Sequence, residues 1–396
     1  MITAEKITTT DVKRLNKNRI FRLIHYTDKI SRQEIADILQ LSLPTVNQNL
    51  KLLTNDGLIE FEGNFESTGG RKAQAIIVRG MSKCAISVNL SISDIKVALV
   101  NLKGNIICSE KASVDFSDND EYIDTIVKLV DDVVVRNNVD SEDILGVGIT
   151  VPGIFDMNNE IIVSAPTMGI RNYPVSAITS RIPYKCIAMN DAKANSYAEY
   201  WFGRESKDNK NITIEEFNKH LMTSSEDGKL YLMLNTGVGG SYISNERIMQ
   251  GKHNRYGEFG HMTLHPNGKL CTCGKLGCFE AYVSAKKLSE ELDVSLVEFF
   301  CRLKNGDEEF AKVFDEYLDN LTTGINNLYI MCDGDIVLGG PVSYFLKNYE
   351  AEIRKRLISK YCFDTDASYL SFAKCTVEQS DTGAALTFLG DFIRGI

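Results

Sequence analysis

Between residues 18 and 53 apolar side chains recur at helical spacing in three short runs. In 18–26, Ile20, Leu23 and Ile24 fall on one face. Ser31-x-x-Glu34 has the form of a capping box, in which each end satisfies an N–H that the other would leave unpaired, and Ile35, Ala36, Ile38 and Leu39 follow it. After a break at 41–43, Pro44 suits the first turn of a third helix, where its missing N–H would have no partner anyway. Val46, Leu50 and Leu53 then face inward, which leaves Thr45, Asn47, Gln48, Asn49 and Lys51 on the outer surface until Gly57 stops the helix. Two strand-like runs, 58–61 and 75–78, flank a loop at 63–72 that ends Ser-Thr-Gly-Gly-Arg-Lys.

A helix start rich in amides and hydroxyls suits the reading of base edges in a major groove. Arg71 and Lys72, on a loop whose glycines allow close approach, supply charge for phosphates or a minor groove. The segment 1–80 therefore reads as a winged helix-turn-helix. A three-helix interaction domain would share the apolar pattern, and the basic loop tip argues against it.

Beyond residue 81 the period changes. Strands are expected at 84–90, 95–102 and 106–109, a long amphipathic helix at 120–137, and a buried strand at 145–150 ending at Pro152-Gly153. A second cycle has a strand at 186–190, a helix from 191 to 199, and a strand at 231–234 running into Asn235-Thr-Gly-Val-Gly-Gly240, which could cradle phosphate or be a tight turn. The polar stretch 204–229 reads as a surface insertion with a short helix around 214–222. Helices at 285–298 and 308–327, a strand at 335–338 and a last helix at 382–394, entered through Asp381, complete the pattern. Strands alternating with amphipathic helices indicate α/β layers.

The chain has 396 residues, more than one simple core holds, and 43% of them are apolar. Its net charge of −9 is divided unevenly: residues 1–80 carry 12 basic against 9 acidic side chains, so the body carries −12. That asymmetry favours a nucleic-acid-binding end on an acidic body. The N-terminus has no apolar signal core and no long uninterrupted apolar run follows, so neither secretion nor membrane contact is expected. Three of the ten cysteines cluster and the others are scattered singly, which points to a reducing cytoplasm rather than to disulfides, with association to the nucleoid when DNA is bound.

The cluster is the chemically densest part of the chain. Within 257–280, His261, Cys271, Cys273 and Cys278 fall in eighteen positions, interrupted by Gly268, Gly274 and Gly277 and bracketed by Glu258 and Glu280. Three thiolates and one imidazole make a closed, structural zinc site. By spacing alone His265 competes with His261 as the fourth ligand.

Gly-Glu-x-Gly-His at 257–261, Cys-x-Cys-Gly-x-x-Gly-Cys-x-Glu at 271–280, Val-Gly-Ile-Thr-Val-Pro-Gly at 147–153 and the pair Asn190-Asp191 together resemble the ROK family of sugar kinases and sugar-responsive repressors, over about residues 83–390. The winged helix before them matches the repressor branch. The resemblance implies an actin-like, ribonuclease-H-like pair of α/β lobes with a sugar cleft between them. The limits it suggests are 1–80 for the DNA-binding domain and 81–396 for the body, with lobe one at about 81–190 plus the C-terminal helix and lobe two at about 191–380. It assigns the zinc ligands to His261, Cys271, Cys273 and Cys278. Sugar contacts fall on Asn190, Asp191, Glu258, His261 and Glu280, where carboxylates can accept from vicinal hydroxyls.

Two departures qualify the resemblance. Family kinases carry Asp-x-Gly-Gly-Thr at the first phosphate turn, whereas this chain has Asn89-Leu90-Ser91-Ile92-Ser93; Asp191, the kinases' catalytic base, is kept. Thr167 stands where the family often has Asn, and Ile170 near where an aromatic residue is usual. The expected function is thus a sugar-responsive repressor of carbohydrate uptake or catabolism genes, not an enzyme. Its partners would be double-stranded operator DNA and a small sugar or sugar derivative, and its assembly a homodimer or dimer of dimers. An ATP-dependent sugar kinase with a DNA-binding head, or a repressor governed by a protein partner, are the alternatives.

Overall fold

The computed structural model describes residues 8–27, 29–64, 74–156, 160–203, 213, 217, 228–360 and 365–396. Helix α1 (Thr9–Tyr26) begins well before the apolar spacing implied. Its start is set by a local cap rather than by burial: Thr8 Oγ1 accepts the Asp11 N–H at 3.2 Å, the Asp11 carboxylate accepts the Thr8 N–H at 2.9 Å, and residues 10–15 are exposed. Helix α2 (Arg32–Leu39) starts at the expected Ser31/Glu34 capping box, and α3 (Leu43–Asn55) is capped by Ser42. Strands β1 (Ile59–Asn64) and β2 (Gln74–Val78) pair antiparallel, and Ile30 bridges to Ile76, so the entry to α2 and the wing form one hydrogen-bonded piece. Arg71, Lys72 and the other residues of 65–73 lie outside the described residues.

The chain groups into two compact units. One holds Met1–Phe155, Glu160–Met222 and Thr376–Ile396; the other holds Asp156–Asn159 and Thr223–Cys375. In the first, β3 (Cys84–Leu90), β4 (Asp94–Asn101) and β5 (Ile106–Ser113) form an antiparallel meander, which β6 (Ile144–Val151) and β10 (Cys186–Asn190) extend in parallel, giving the order β10-β6-β3-β4-β5. Helix α4 (Asp120–Arg136) packs on β4 and β5, and the C-terminal helix (Gly383–Gly395) on β3 and β6. A side sheet of β7 (Ile154–Asp156), β8 (Ile161–Ala165) and β9 (Ile170–Pro174) follows β6, and the short α5 (Ser176–Thr179) leads to β10.

In the second unit, β11 (Lys229–Leu234), β12 (Val238–Ser244) and β13 (Arg247–Ile248) form the meander, and β14 (Asp335–Gly339) and β15 (Leu370–Phe372) extend it in parallel. The order β13-β12-β11-β14-β15 repeats the first unit's layout read from the other edge. Two copies of one meander-plus-crossover plan make the actin-like, ribonuclease-H-like arrangement. The core of this unit gathers around the long helix Glu308–Cys332, whose Phe310, Phe314, Leu321 and Leu328 pack with Phe279, Phe299 and Leu232.

Two expectations need correction, and another falls outside the described residues. The single helix expected at 285–298 is two 3₁₀ turns, Ala285–Leu288 and Glu290–Leu292. Asp293 then takes φ +54, and Ser295 accepts the Glu298 N–H at 3.1 Å to open a separate helix, Leu296–Lys304. The helix expected around 214–222 lies outside the described residues apart from Phe217, which is fully buried with its ring centroid 6.3 Å from that of Tyr26. Finally, α6 (Asp191–Phe202), expected to open the second lobe, belongs to the first unit because it packs on the C-terminal helix. The two approach so closely that a Cβ on Gly383 would lie 1.7 Å from the Ala194 carbonyl oxygen. Replacing Gly383 with Ala is therefore expected to cost about 1–3 kcal/mol of overpacking strain, read as an earlier urea midpoint by fluorescence of Trp201, the chain's one tryptophan.

Candidate functional site

The start of α3 is prepared by Ser42, whose Oγ accepts the Thr45 N–H at 3.3 Å and lies 2.8 Å from Thr45 Oγ1. Thr45 is half-buried, and Asn47, Gln48 and Lys51 are exposed, as a base-reading face requires. Asn49 is not on that face. It is 5% exposed and its amide donates to the Thr45 carbonyl at 2.8 Å. With 3.6 residues per turn, position 49 falls beside Leu53 at the edge of the apolar stripe of Val46, Leu50 and Leu53, and its polarity concealed a core-facing register.

In the second unit the cysteine-rich stretch folds back on itself through bridges Leu270↔Leu276 and Thr263↔Cys278. Gly277 makes this possible: its φ is +81 and a Cβ there would lie 1.8 Å from the His265 carbonyl oxygen. The donor atoms of His261, Cys271, Cys273 and Cys278 all lie within 4.8 Å of one another. His261 turns Nδ1 toward Cys271 Sγ, at 3.8 Å, and the sulfurs of Cys273 and Cys278 are 3.7 Å apart. This cluster can hold a metal ion. His265 stands outside it, with Nε2 2.6 Å from Asn320 Oδ1 and its ring edge-on to Tyr282, so it ties the loop to the long helix.

The bracketing acids differ. Glu280 is buried at the start of the short helix Glu280–Val283; its Oε2 accepts the Val238 N–H at 2.9 Å, and its Oε1 accepts the Thr272 hydroxyl at 2.6 Å and lies 3.5 Å from Cys271 Sγ. Glu258 is half-buried one turn before His261, whose N–H donates to the Glu258 carbonyl at 3.1 Å. The role of Thr272 was invisible in the sequence, since a hydroxyl between two cysteines carries no spacing signal.

In the first unit β10 delivers Asn190 and Asp191 to the start of α6. Asn190 caps the helix, its Oδ1 accepting the Ala192 N–H at 2.8 Å, while its Nδ2 donates to the Gly153 carbonyl at 2.9 Å. That bond gives Gly153, noted only as part of a motif, a positioning role. Burial pushes the Asp191 carboxyl up to about 6, against hydrogen bonds from the Ala192 and Asp191 N–H groups that favour its ionised form. In the side sheet, Thr167 is exposed on the turn Pro166–Met168 and Ile170 is buried.

Residues 85–215 and 219–390 match the ROK family, and residues 14–60 match a winged helix-turn-helix DNA-binding domain. The chain belongs to the ROK family. It is 27% identical to the xylose repressor of Bacillus spizizenii, over 72% of this chain and 69% of the relative. It is 24% identical to the DNA-binding transcriptional dual regulator NagC of Escherichia coli, over 78% of this chain and 75% of that one. Among solved structures it superposes on a ROK family transcriptional regulator, a homolog of the Escherichia coli MLC protein, with TM-score 0.73, 19% identity and 97% of both chains covered. A ROK hexokinase from Thermus thermophilus aligns at TM-score 0.61 and 22% identity, over 77% of this chain and 97% of the hexokinase.

The first phosphate turn of this ROK body is closed on itself. The Ser91 N–H donates to the Asp94 carbonyl at 2.9 Å and the Asp94 N–H to Ser91 Oγ at 3.1 Å, with Ile92 exposed at the tip. Asn89, where ROK kinases carry Asp, donates from Nδ2 to the Asp381 carbonyl at 2.8 Å and to Ser87 Oγ at 3.0 Å, and its Oδ1 accepts the Thr150 hydroxyl. Ser87 also donates to the Asp381 carbonyl. The amide thus fastens β3 to β6 and to the entrance of the C-terminal helix, and the donation to Asp381 is one that a carboxylate cannot make. The second turn is a hairpin between β11 and β12: the N–H groups of Asn235, Thr236 and Val238 donate to the Gly237 carbonyl, Asn235 Oδ1 and Glu280. Restoring the kinase residue with Asn89→Asp should therefore destabilise the chain, by about 1–3 kcal/mol from the lost donation to the Asp381 carbonyl, which keeps its bond from Ser87, and from the new repulsion between carboxylate and carbonyl. Urea unfolding checks this, and a variant as stable as the parent would contradict it.

Proposed function

We propose that this chain is a sugar-responsive, DNA-binding transcriptional repressor of carbohydrate uptake or catabolism genes. The observation that carries the reading is the pairing of an exposed polar α3 face with a ROK body in which Ser91 and Asp94 close the turn after β3 and Asn89 is bonded to Asp381 and Thr150. Asn47, Gln48, Lys51 and Thr45 read base edges in a major groove, and Arg71 and Lys72 hold the wing to the DNA backbone. Two heads in a homodimer, or in a dimer of dimers, would read a pseudo-palindrome.

The sugar-contacting residues in this reading are Asn190, Asp191, Glu258, His261 and Glu280. A relative named the xylose repressor and one named the N-acetylglucosamine repressor, from Escherichia coli, make a neutral monosaccharide the first candidate. The metal is zinc with a structural role. Tetrahedral zinc bound by thiolates at about 2.3 Å sets its sulfurs about 3.8 Å apart, which fits the 3.7 Å between Cys273 and Cys278. With Nδ1 turned to the metal, His261 has Nε2 for a hydroxyl, so metal geometry and sugar recognition share one ring. A kinase remains the second reading on one observation, the retained Asp191.

The test is operator binding by fluorescence anisotropy, using DNA selected by the full chain from a genomic pool, with D-xylose, N-acetyl-D-glucosamine, D-glucose and their phosphates added in turn. One neutral sugar should change operator affinity by roughly the 5–150-fold usual for coupled sites. Glu258→Gln should remove that response and leave sugar-free DNA binding intact. The response should also weaken as pH falls through about 6, because Asp191 accepts hydroxyl hydrogen bonds best when ionised and its carboxyl is raised to that value. A response that strengthens in acid would refute the role given to Asp191, and no response to any of the sugars would refute the reading.

A further inference from the structure

We propose that Trp201 is the joint through which the effector end of α6 acts on the DNA-binding head; the proposal rests on the sugar-responsive reading above and names its route. Helix α6 begins at Asp191 and ends at Phe202, a rod of about 18 Å. Trp201 lies in its last turn, 7% exposed. Its ring meets His25 of α1 edge-on, with centroids 5.5 Å apart and an interplanar angle of 87°. Beside it is Gly104 on the β4–β5 turn, where φ is +85 and a Cβ would lie 2.4 Å from the indole nitrogen. The turn makes room for the indole as only glycine can.

His25 is fixed in turn. Its Nε2 lies 2.9 Å from the Leu102 carbonyl, which can only accept, so that nitrogen carries the proton and the ring plane is set. The second support of α1 is Asn18, whose Nδ2 donates to the Ile393 carbonyl at 2.7 Å, at the end of the C-terminal helix. That helix lies on α6 through Gly383 against Ala194 and Gly390 against the Tyr197 hydroxyl. These two contacts of α1 lead to α6, one directly through Trp201 and one through the C-terminal helix. On its other side α1 packs on α3 through buried Ile20, Leu23 and Ile24, and Lys17 pairs with Asp56 at the end of α3 at 2.7 Å. A displacement of α6 reaches the recognition helix without passing through a flexible segment.

Trp201 touches neither proposed sugar group nor DNA, so it is a positioning residue. The plain alternative is that it only fills space, and coupling evidence separates the two. The experiment uses the full chain. Sugar binding is scored by thermal shift with an extrinsic dye, operator binding by anisotropy of labelled DNA, and the joint by emission of Trp201 itself. Trp201→Phe and His25→Gln, the latter keeping a donor for the Leu102 carbonyl, should bring the ratio of operator affinities with and without sugar toward unity. The sugar concentration giving half the thermal shift should not move. An undiminished ratio in both variants would overturn the joint and leave the sugar reading standing. Should Trp201→Phe fail to fold, His25→Gln decides alone. Should none of D-xylose, N-acetyl-D-glucosamine and D-glucose raise the melting temperature, the sugar reading fails, and the joint is judged on DNA. Operator should then shift Trp201 emission in the parent but not in His25→Gln, and emission unmoved by operator would overturn it.

Discussion

The first unit is organised by the contact between α6 and the C-terminal helix. Gly383 brings the second helix against the backbone of the first, and from that contact the functional groups take their places. One end of α6 carries Asn190 and Asp191, and its other end carries Trp201 against the DNA-binding head. The entrance to the C-terminal helix presents the Asp381 carbonyl, on which Ser87 and Asn89 converge. The position where kinases of this family carry Asp is here a fastening point that joins β3 to β6 and to the entrance of the C-terminal helix.

The second unit depends on a different constraint. The cluster of His261, Cys271, Cys273 and Cys278, which can hold a metal ion, gathers residues 261–278 into a loop that is also held by His265 on Asn320 and by Lys269 on Glu316, both of the long helix. Glu280 joins this loop to the hairpin after β11 through the Val238 N–H. A change in this cluster would therefore disturb Glu258, His261 and Glu280 together, since one short stretch of chain carries them all.

Features written in local spacing were legible before the structure. The capping box at Ser31 and Glu34, the strand and helix periods of the body, and the four clustered ligands all repeat or co-occur within a few residues. Asn49 was misplaced because its residue type suggested the surface while its register belonged to the core. The helix expected at 285–298 ran through Asp293, whose left-handed backbone no apolar pattern reveals. The sequence exposed the loss of the kinase carboxylate at position 89, but its partner Asp381 is 292 positions away, beyond any spacing argument. The shared strand order of the two units was likewise hidden, because it is a property of hydrogen-bonded neighbours and not of residue identities.

The central claim is that this ROK body reports on a sugar rather than phosphorylating it. A coupled assay of ADP release by the purified full chain, with magnesium-ATP and D-xylose, N-acetyl-D-glucosamine or D-glucose, tests that most directly. The turn closed by Ser91 and Asp94, with Asn89 in place of the kinase carboxylate, predicts no sugar-dependent ADP above the rate without sugar. Sustained sugar-dependent turnover that vanishes in Asp191→Asn would contradict it and make the chain a kinase with a DNA-binding head.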